Sequence, residues 1–282
     1  MQVTAIKLSE KRVEKPWGVF DLPQMFGGTH PGSEPLGEIW FERPGGGDVE
    51  LLVKYLFTSE RLSIQVHPDD AGARRAGYKR GKDEAWIVLD ASPVATIGLG
   101  LTKQSDVEEL RAAALDGSIE DLVDWKSAKP GDILYSPART VHALGAGLAL
   151  IEIQQNLDLT YRLYDYGRPR ELHLEDGIRA SDLRPYATPF EPYVRPDGRE
   201  ILAAGLAFVL ERWSAPLAST ILGMPDTPVW LIPVDGAGTI AGEPLEEGSV
   251  WIAEGATAIQ LAGGMQLYVA YPGGSVREDL LG

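Results

Sequence analysis

Cysteine is absent from the 282-residue sequence. Its absence excludes disulfide bonds, thiolate catalysis and zinc sites built from cysteine. Positive charge is also scarce, because 26 Lys and Arg residues face 41 Asp and Glu residues and leave a formal net charge of −15. Such an acidic surface repels phosphate backbones and anionic lipid. We therefore expect neither a nucleic-acid partner nor a membrane partner.

Long apolar runs are lacking as well. The longest run, residues 201–210, is too short to cross a bilayer. Residues 1–18 are charged and lack the apolar segment of a signal peptide. These features favour a cytoplasmic protein. Hydrophobic residues make up 44% of the chain, so it can bury a core without covalent staples.

Glycine and proline punctuate many short β-branched or aromatic runs. Frequent short strands separated by turn signals favour a β-sandwich or a barrel. The clearest of these runs are residues 50–57, 62–66, 85–89, 133–136, 148–154, 207–210, 229–233, 250–253 and 266–271.

One region predicts a helix, from about residue 105 to residue 125. Ser105 is the expected N-cap, and Glu108 follows three residues later. Gly117 and the serine after it should interrupt the helix, with a shorter turn beyond. The spacing predicts an apolar face made of Val107, Leu110, Ala114 and Leu115.

Residues 170–199 are charged and rich in proline, which predicts a linker. We place the boundary inside it, with an N-terminal domain of residues 1–185 and a C-terminal domain of residues 186–282. A weak internal repeat supports the division, because the strand–turn–strand pattern after Trp86 recurs after Trp230. Two copies of one β-sandwich unit explain it most simply, with the helical region inserted in the first. Chance similarity is the alternative.

The four histidines include one suggestive arrangement. Gln65 and His67 are two residues apart in an expected strand, so both side chains leave the same face. With Glu84 and His142 they would offer two nitrogen and two oxygen donors, a set that zinc accepts. The alternative is that each histidine is an ordinary hydrogen-bonded core residue. The remaining two histidines, His30 and His173, are expected to be solvated.

Residues 131–142 strengthen the metal interpretation. They follow the second cupin signature of glycine, proline, glycine and histidine, except that Arg139 takes the place of the second glycine. In the repeat copy, Ile259 matches His142 and Pro228 matches Glu84. Only the first copy can therefore hold a metal.

On these residues the chain resembles the type I mannose-6-phosphate isomerases in their short bacterial form. The resemblance runs from residue 15 to residue 173, whereas the C-terminal part matches only in kind. The matching segments are residues 15–18, 37–40, 62–70, 81–86, 137–143 and 152–165, with Lys54 eleven residues before Gln65.

The resemblance implies a zinc enzyme on a double cupin fold, that is, two jelly-roll units. It implies the interconversion of mannose 6-phosphate and fructose 6-phosphate, in which a proton moves between C1 and C2 through a cis-enediol. One zinc ion per chain would lie on Gln65, His67, Glu84 and His142. Lys54 and Ser63 would lie near the substrate phosphate, and Lys82 and Arg162 beside the reacting carbons.

Elementary electrostatics agrees with these roles. A sugar phosphate is a dianion, so an acidic protein needs a local group of cations to bind it. Lys54, Lys82 and Arg162 could form that group. Taken singly, each could instead be a surface residue, Arg162 through a pair with Asp165. Either Lys82 or a water on the zinc could move the proton.

Two departures from the family pattern bear on the substrate. Arg139 stands in the turn where glycine is frequent, and Leu157 stands where serine is usual. A positive φ at Arg139 would strain the backbone there.

Three other functions are alternatives to the mannose-6-phosphate isomerase. They are an isomerase for another sugar phosphate, a sugar-phosphate-binding cupin without turnover, and an iron cupin oxygenase. The last is disfavoured because it would normally use histidine at the position of Gln65.

Overall fold

The short β-branched and aromatic runs form strands, and the chain is mainly β, as predicted. The structure, a computed structural model, describes residues 4–205, 207–224 and 226–282. Within these ranges the strands β1 to β20 are, in chain order, Ala5–Lys7, Ser9–Val19, Leu36–Glu42, Leu51–Thr58, Ile64–Val66, Glu84–Ala91, Thr96–Leu101, Val123–Ser127, Ile133–Ser136, His142–Leu144, Leu148–Gln155, Tyr161–Tyr164, Tyr193–Val194, Glu200–Ala204, Phe208–Ser214, Leu217–Leu222, Val229–Ile240, Glu243–Pro244, Trp251–Ala253 and Ala256–Pro272.

The helices are few and short. Helices α1 to α4 are Asp70–Arg75, Val107–Asp116, Ile119–Leu122 and Leu174–Ala180, and a 3-10 turn covers Gln24–Phe26. Among the residues that the structure describes, no helix has the length and apolar character needed to cross a membrane.

The strands form three antiparallel sheets. The six-stranded sheet has the order β2-β3-β4-β11-β6-β9, and the five-stranded sheet has the order β12-β5-β10-β7-β8. The nine-stranded sheet has the order β1-β19-β17-β20-β15-β14-β13, with β16 paired to β20 and β18 paired to β17. The third sheet contains all the C-terminal strands and also the first strand of the chain.

The six-stranded sheet lies in the middle of the core, because both of its faces are covered. Strand β4 is buried along its whole length. Val53, Tyr55 and Phe57 pack toward the nine-stranded sheet, whereas Leu56 packs toward the five-stranded sheet. Since side chains alternate along a strand, Lys54 leaves β4 on the same face as Leu56. This alternation delivers a lysine into the space between two sheets.

The predicted helix is correct in place but wrong in detail. Helix α2 begins after Asp106, whose side chain accepts a hydrogen bond from the backbone N–H of Glu109, so Asp106 is the N-cap rather than Ser105. Gly117 ends the helix in a left-handed conformation, as predicted. Leu110 and Ala114 are buried, but Val107 and Leu115 are 43% and 70% exposed.

Two segments of the predicted helix and linker adopt other structure. Beyond α3, residues 123–127 form β8 on the edge of the five-stranded sheet instead of continuing as a helix. The expected linker contains α4, which packs against the five-stranded sheet and α2 through Ile178. The division into domains at residue 185 stays a prediction.

Candidate active site

Four neighbouring strands of the six-stranded sheet carry one row of side chains on the face toward the five-stranded sheet. The strand register places Trp40 opposite Lys54, Lys54 opposite Glu152, and Glu152 opposite Trp86. The Lys54 ammonium lies 3.0 Å from one Glu152 carboxylate oxygen and 4.8 Å from the centre of the Trp40 ring. Trp86 donates its indole N–H to the other Glu152 oxygen at 3.1 Å. Lys54, Glu152 and Trp86 are buried, Trp40 is half-buried, and the four side chains form one connected row.

The five-stranded sheet presents a second row. Gln65 on β5 pairs with His142 on β10 at one side and with Arg162 on β12 at the other. His67 follows β5 directly, and Glu84 begins β6 in the six-stranded sheet. The two sheets therefore bring together residues that are far apart in the chain, such as Gln65 and His142, which are 77 positions apart.

His67, Glu84 and His142 form a buried group of potential metal ligands. Their nearest ligand atoms all lie within 4.8 Å of one another. The Nε2 atoms of His67 and His142 each lie 3.3 Å from a different oxygen of the Glu84 carboxylate. Neither Glu84 oxygen accepts a well-aligned hydrogen bond among the described residues, although the Lys82 ammonium lies 3.0 Å from one of them. Buried carboxylate oxygens without such a bond are typical of a site that binds a cation.

The orientation of the two imidazole rings suits a metal site. The Nδ1 atoms of His67 and His142 lie 2.9 Å from the backbone carbonyls of Leu159 and Thr140. Because a carbonyl can only accept, each Nδ1 donates its hydrogen to that carbonyl, and Nε2 is the nitrogen of each ring that faces Glu84. The carbonyl contact that fixes the tautomer is the usual support of a metal-binding histidine.

Nearby charges and burial set the ionisation of His67 and Glu84. Burial, together with the nearby Lys82 ammonium, lowers the pKa of His67 to about 3, so this imidazole is neutral at physiological pH. Burial also opposes the ionisation of Glu84, but the Lys82 ammonium outweighs it and holds the pKa of Glu84 well below its usual range. A neutral imidazole and an ionised carboxylate are the forms that bind a metal.

Gln65 lies beside the three ligands in a different hydrogen-bonding state. Its amide nitrogen is 3.3 Å from Nε2 of His142, and its amide oxygen accepts a hydrogen bond from Ser63 at 3.1 Å. Half a turn of the amide would place its oxygen where the nitrogen now lies, beside Nε2 of His142, and would end the hydrogen bond from Ser63 to that oxygen. The structure thus brings Gln65 and Ser63 to the site.

A polar cavity of about 350 Å³ opens over this group. Lys54, Ser63, Gln65, Lys82 and Arg162 all line it. Every predicted substrate-contacting residue therefore reaches the same space. The Lys82 ammonium lies 3.0 Å from Glu84 and 3.4 Å from Nε2 of His67, at the inner end of the cavity.

Arg162 does not form the pair with Asp165 that would make it an ordinary surface residue. The Asp165 carboxylate is bound instead by Arg168 and Arg170. The Nε–H of Arg162 donates to the backbone carbonyl of Glu171 at 3.1 Å. Its side chain is thereby directed along the cavity wall.

Nearby carboxylates hold Lys54 in its charged form despite its burial. Burial alone would favour the neutral amine, but the carboxylates of Glu152 and Glu38 outweigh it and raise the pKa of Lys54. Burial likewise opposes the ionisation of Glu38, yet Lys54 and Lys15 lower its pKa. The cation expected at the phosphate end is thus already neutralised by carboxylates.

Several residues of the cavity were missed by sequence reasoning. His173 was expected to be solvated, but it is half-buried, lines the cavity, and its Nδ1 accepts a hydrogen bond from the backbone N–H of Arg162 at 3.3 Å. Glu38 and Glu152 also line the cavity. The sequence could have indicated these residues, because residues two positions apart in a strand share one face. Glu38 and Trp40 have this spacing in β3, and Glu152 and Gln154 have it in β11. His30 was also expected to be solvated, but it is buried and lies 3.0 Å from Glu14, away from the cavity.

The fold and this geometry define a class: a mainly β protein with a buried His–Glu–His group, able to bind a metal ion, at the base of a cavity lined by cations. Comparison with solved structures places it further. Mannose 6-phosphate isomerase from Bacillus subtilis superposes with a TM-score of 0.79 at 28% identity, covering 95% of this chain and 99% of that one. A variant of phosphomannose isomerase from Salmonella typhimurium shares the fold, with a TM-score of 0.72 at 15% identity over 96% of this chain and all of that one.

Comparison with curated sequences agrees with the comparison of structures. The chain is 38% identical over 161 residues to mannose-6-phosphate isomerase ManA of Bacillus subtilis, and 36% identical over 171 residues to mannose-6-phosphate isomerase of Streptococcus mutans. These matches cover 52% and 58% of this chain and 51% and 54% of the relatives, so the chain spans about half the length of the curated relatives it matches. No protein-family model matches it. The chain is thus similar in sequence and in fold to mannose-6-phosphate isomerases, which confirms the resemblance drawn from its motifs.

Proposed function

We propose that this chain is a metal-dependent aldose–ketose isomerase that interconverts mannose 6-phosphate and fructose 6-phosphate. The observation that carries the proposal is the polar cavity in which Lys54, Lys82 and Arg162 surround the mouth of a buried His67–Glu84–His142 group. The relatives named above support the reaction and the substrate class. The double cupin architecture, the boundary near residue 185 and a cytoplasmic location belong to the same proposal.

The proposed metal is a single zinc ion on His67, Glu84, His142 and Gln65. Two imidazole nitrogens, one carboxylate and one amide oxygen suit its preference for nitrogen and oxygen donors. The neutral amide leaves the ion more electrophilic than a second carboxylate would. When bound, zinc supplies Lewis acidity toward the two sugar oxygens that exchange the carbonyl.

The protein's own residues would bind and orient the sugar. Lys54 would bind the phosphate, with the Ser63 hydroxyl beside it. Because Glu152 holds the Lys54 ammonium at 3.0 Å in the free protein, phosphate binding would exchange one anionic partner for another. We assign Lys82 and Arg162 to the reacting end, since Lys82 lies nearest to the metal ligands.

The isomerisation itself balances without an external redox partner. A base removes the proton from C2 of the aldose while the carbonyl oxygen at C1 gains one, which gives a cis-enediol. Return of a proton to C1, with loss of the hydroxyl proton at C2, gives the ketose. Negative charge develops on both oxygens during these steps, and the guanidinium of Arg162 and the ammonium of Lys82 would stabilise it.

The test is a coupled assay of mannose 6-phosphate conversion on purified protein, before chelation, after chelation and with zinc restored. We expect turnover to disappear on chelation and to return with zinc. The His142→Ala variant should fold, bind no zinc by metal analysis and show no turnover. Full turnover by this variant would contradict the proposed metal site.

The same assay separates the alternatives. Conversion of a different sugar phosphate, with mannose 6-phosphate inert, would show an isomerase of another specificity. In that case Arg139 and Leu157 are the first positions to exchange. Tight binding of sugar phosphates by zinc-loaded protein without any conversion would show a binding module instead.

A further inference from the structure

A second cavity lies on the opposite face of the five-stranded sheet. Within β12, Arg162 lines the polar cavity described above, whereas its neighbour Tyr161 lines this one, because successive side chains point to opposite faces. The second cavity, here called the outer cavity, has a volume of about 370 Å³. Its charged lining consists of Asp69, Arg75, Arg139, Asp176 and Arg179.

Cations outnumber anions in the outer cavity, with three guanidinium groups against two carboxylates. That excess is unusual in a chain whose formal net charge is −15. Arg75 is exposed, and no salt bridge to it is found in the part of the chain that the structure describes. Arg139 approaches Asp69 only at 3.9 Å, and Arg179 lies 3.4 Å from Asp176. The guanidinium groups therefore keep unused donors toward the cavity.

Arg139 has a backbone conformation that an arginine adopts rarely. Residues 137–140 form a tight turn closed by the bond from Thr140 N–H to the carbonyl of Pro137, and Arg139 has φ of 76° at its third position. Glycine adopts this conformation freely, whereas a side chain there costs conformational energy. Backbone strain at a non-glycine residue is found mostly where that residue has a function.

The surrounding structure holds the turn firmly. Ala138 donates its backbone N–H to Asp83, and Arg139 donates its own to the carbonyl of His67. The Nε–H of Arg139 donates to the carbonyl of Ala180 at 3.2 Å. This last bond directs the guanidinium toward α4, where Arg179 stands. The strained residue thus delivers a fixed, exposed guanidinium to the wall of the outer cavity.

We propose that the outer cavity binds a small oxyanion with the chemistry of phosphate, with Arg139 as its central contact and with Arg75 and Arg179 beside it. Planar guanidinium groups bind such oxygens with paired N–H donors, and convergence of several excludes neutral ligands. The proposal is independent of the isomerase reaction. The bound anion would lie against the turn whose backbone contacts both metal-binding histidines, at His67 and, through Thr140, at His142.

The test counts bound phosphate on metal-loaded protein by equilibrium dialysis with radiolabelled inorganic phosphate at low ionic strength. We expect the Arg139→Gly variant to bind one phosphate fewer per chain than the unmodified protein at the concentration that saturates the latter. The Arg75→Gln/Arg179→Gln double variant should lose the same phosphate, or bind it about tenfold more weakly. Counting the difference keeps the result separate from any phosphate in the polar cavity.

Arg74→Gln is the matched control. Arg74 is an exposed neighbour of Arg75 that pairs with Asp70 and does not line the outer cavity, so its loss removes the same charge without the proposed contact. This variant should bind phosphate like the unmodified protein. Equal loss from Arg74→Gln would show a general charge effect and overturn the site.

Thermal unfolding supplies the second readout. Since glycine relieves the positive φ, Arg139→Gly should unfold at the same temperature as the unmodified protein or higher. A lower unfolding temperature with the full phosphate count retained would show that Arg139 is a structural residue, and would overturn the proposal. Should Arg139→Gly fail to fold, an unchanged phosphate count in the Arg75→Gln/Arg179→Gln variant would overturn it equally.

Discussion

The buried pair between Lys54 and Glu152 allows a quantitative prediction. Their side chains are only 8% and 6% exposed and lie 3.0 Å apart. Replacing Lys54 with Met leaves the Glu152 carboxylate buried, with the Trp86 indole as its remaining donor. Removal of one partner from a buried pair costs about 3–5 kcal/mol, because the charge that remains is uncompensated. We therefore expect Lys54→Met to lose about that much free energy of unfolding.

The double variant Lys54→Met/Glu152→Gln should recover a large part of the loss. With both charges gone, no uncompensated charge remains, and the glutamine can still accept from Trp86. We expect the sum of the losses in the two single variants, Lys54→Met and Glu152→Gln, to exceed the loss in the double variant by about 2 kcal/mol or more. Urea unfolding of the metal-loaded proteins measures each value.

The chain contains a close control for this comparison. Lys11 and Glu42 lie 2.9 Å apart, and Lys11 also stands over the Trp40 ring, at 5.0 Å. Their side chains are 54% and 45% exposed, so burial is the main difference. The corresponding cycle with Lys11→Met and Glu42→Gln should give a coupling of at most about 1 kcal/mol. Equal couplings in the two cycles, or additive losses at Lys54 and Glu152, would refute the reasoning from burial.

Three further predictions concern catalysis, pH and packing. Arg162→Ala should lower kcat by about a hundredfold or more with zinc still bound, because the Arg162 guanidinium stabilises the developing oxyanions. An unchanged kcat would mean that Arg162 has only the structural role of its bond to the Glu171 carbonyl. Since the folded pKa of His67, about 3, lies below the ordinary value, its contribution to stability is complete above pH 6.5 and is lost as the pH falls toward 3. Metal-free protein should lose stability in that range more steeply than a His67→Gln variant, as followed by urea unfolding. Leu110→Ala should cost about 2–5 kcal/mol, whereas Leu115→Ala should change stability by less than about 0.5 kcal/mol; similar losses would mean that α2 buries its other face.

The sequence was most informative where pattern and burial coincide. Strand β4 could be predicted because a run of apolar and β-branched residues is what a strand covered on both faces requires. The place of the potential metal ligands could also be predicted, since Gln65 and His67 are two positions apart and were expected to leave one face of a strand. The site's connection through Glu152 depends on strand register across four strands, which no local spacing fixes.

The errors have local physical causes. At the start of α2, Ser105 and Asp106 compete as N-caps, and the carboxylate reaches the free N–H of Glu109 while the Ser105 hydroxyl bonds to the Glu109 side chain. Val107 and Leu115 match a helical period but lie at the borders of the apolar face, where packing by α3 and α4 decides exposure. The sequence did not decide whether Arg139 has a positive φ, and the bonds from Ala138 N–H to Asp83 and from Arg139 N–H to the His67 carbonyl select that conformation.

The position of β1 has a consequence for the order of folding during synthesis. Residues 5–7 pair with residues 251–253, and the Leu8 N–H bonds to the Val250 carbonyl. A ribosome releases the first strand long before it makes the partner, so β1 must wait, unpaired, for nearly the whole chain to emerge. The nine-stranded sheet can therefore be completed only after β20, residues 256–272, has also been made. Until β19 has been made, β1 has no partner strand, and the newly made chain is open to pairing with another copy.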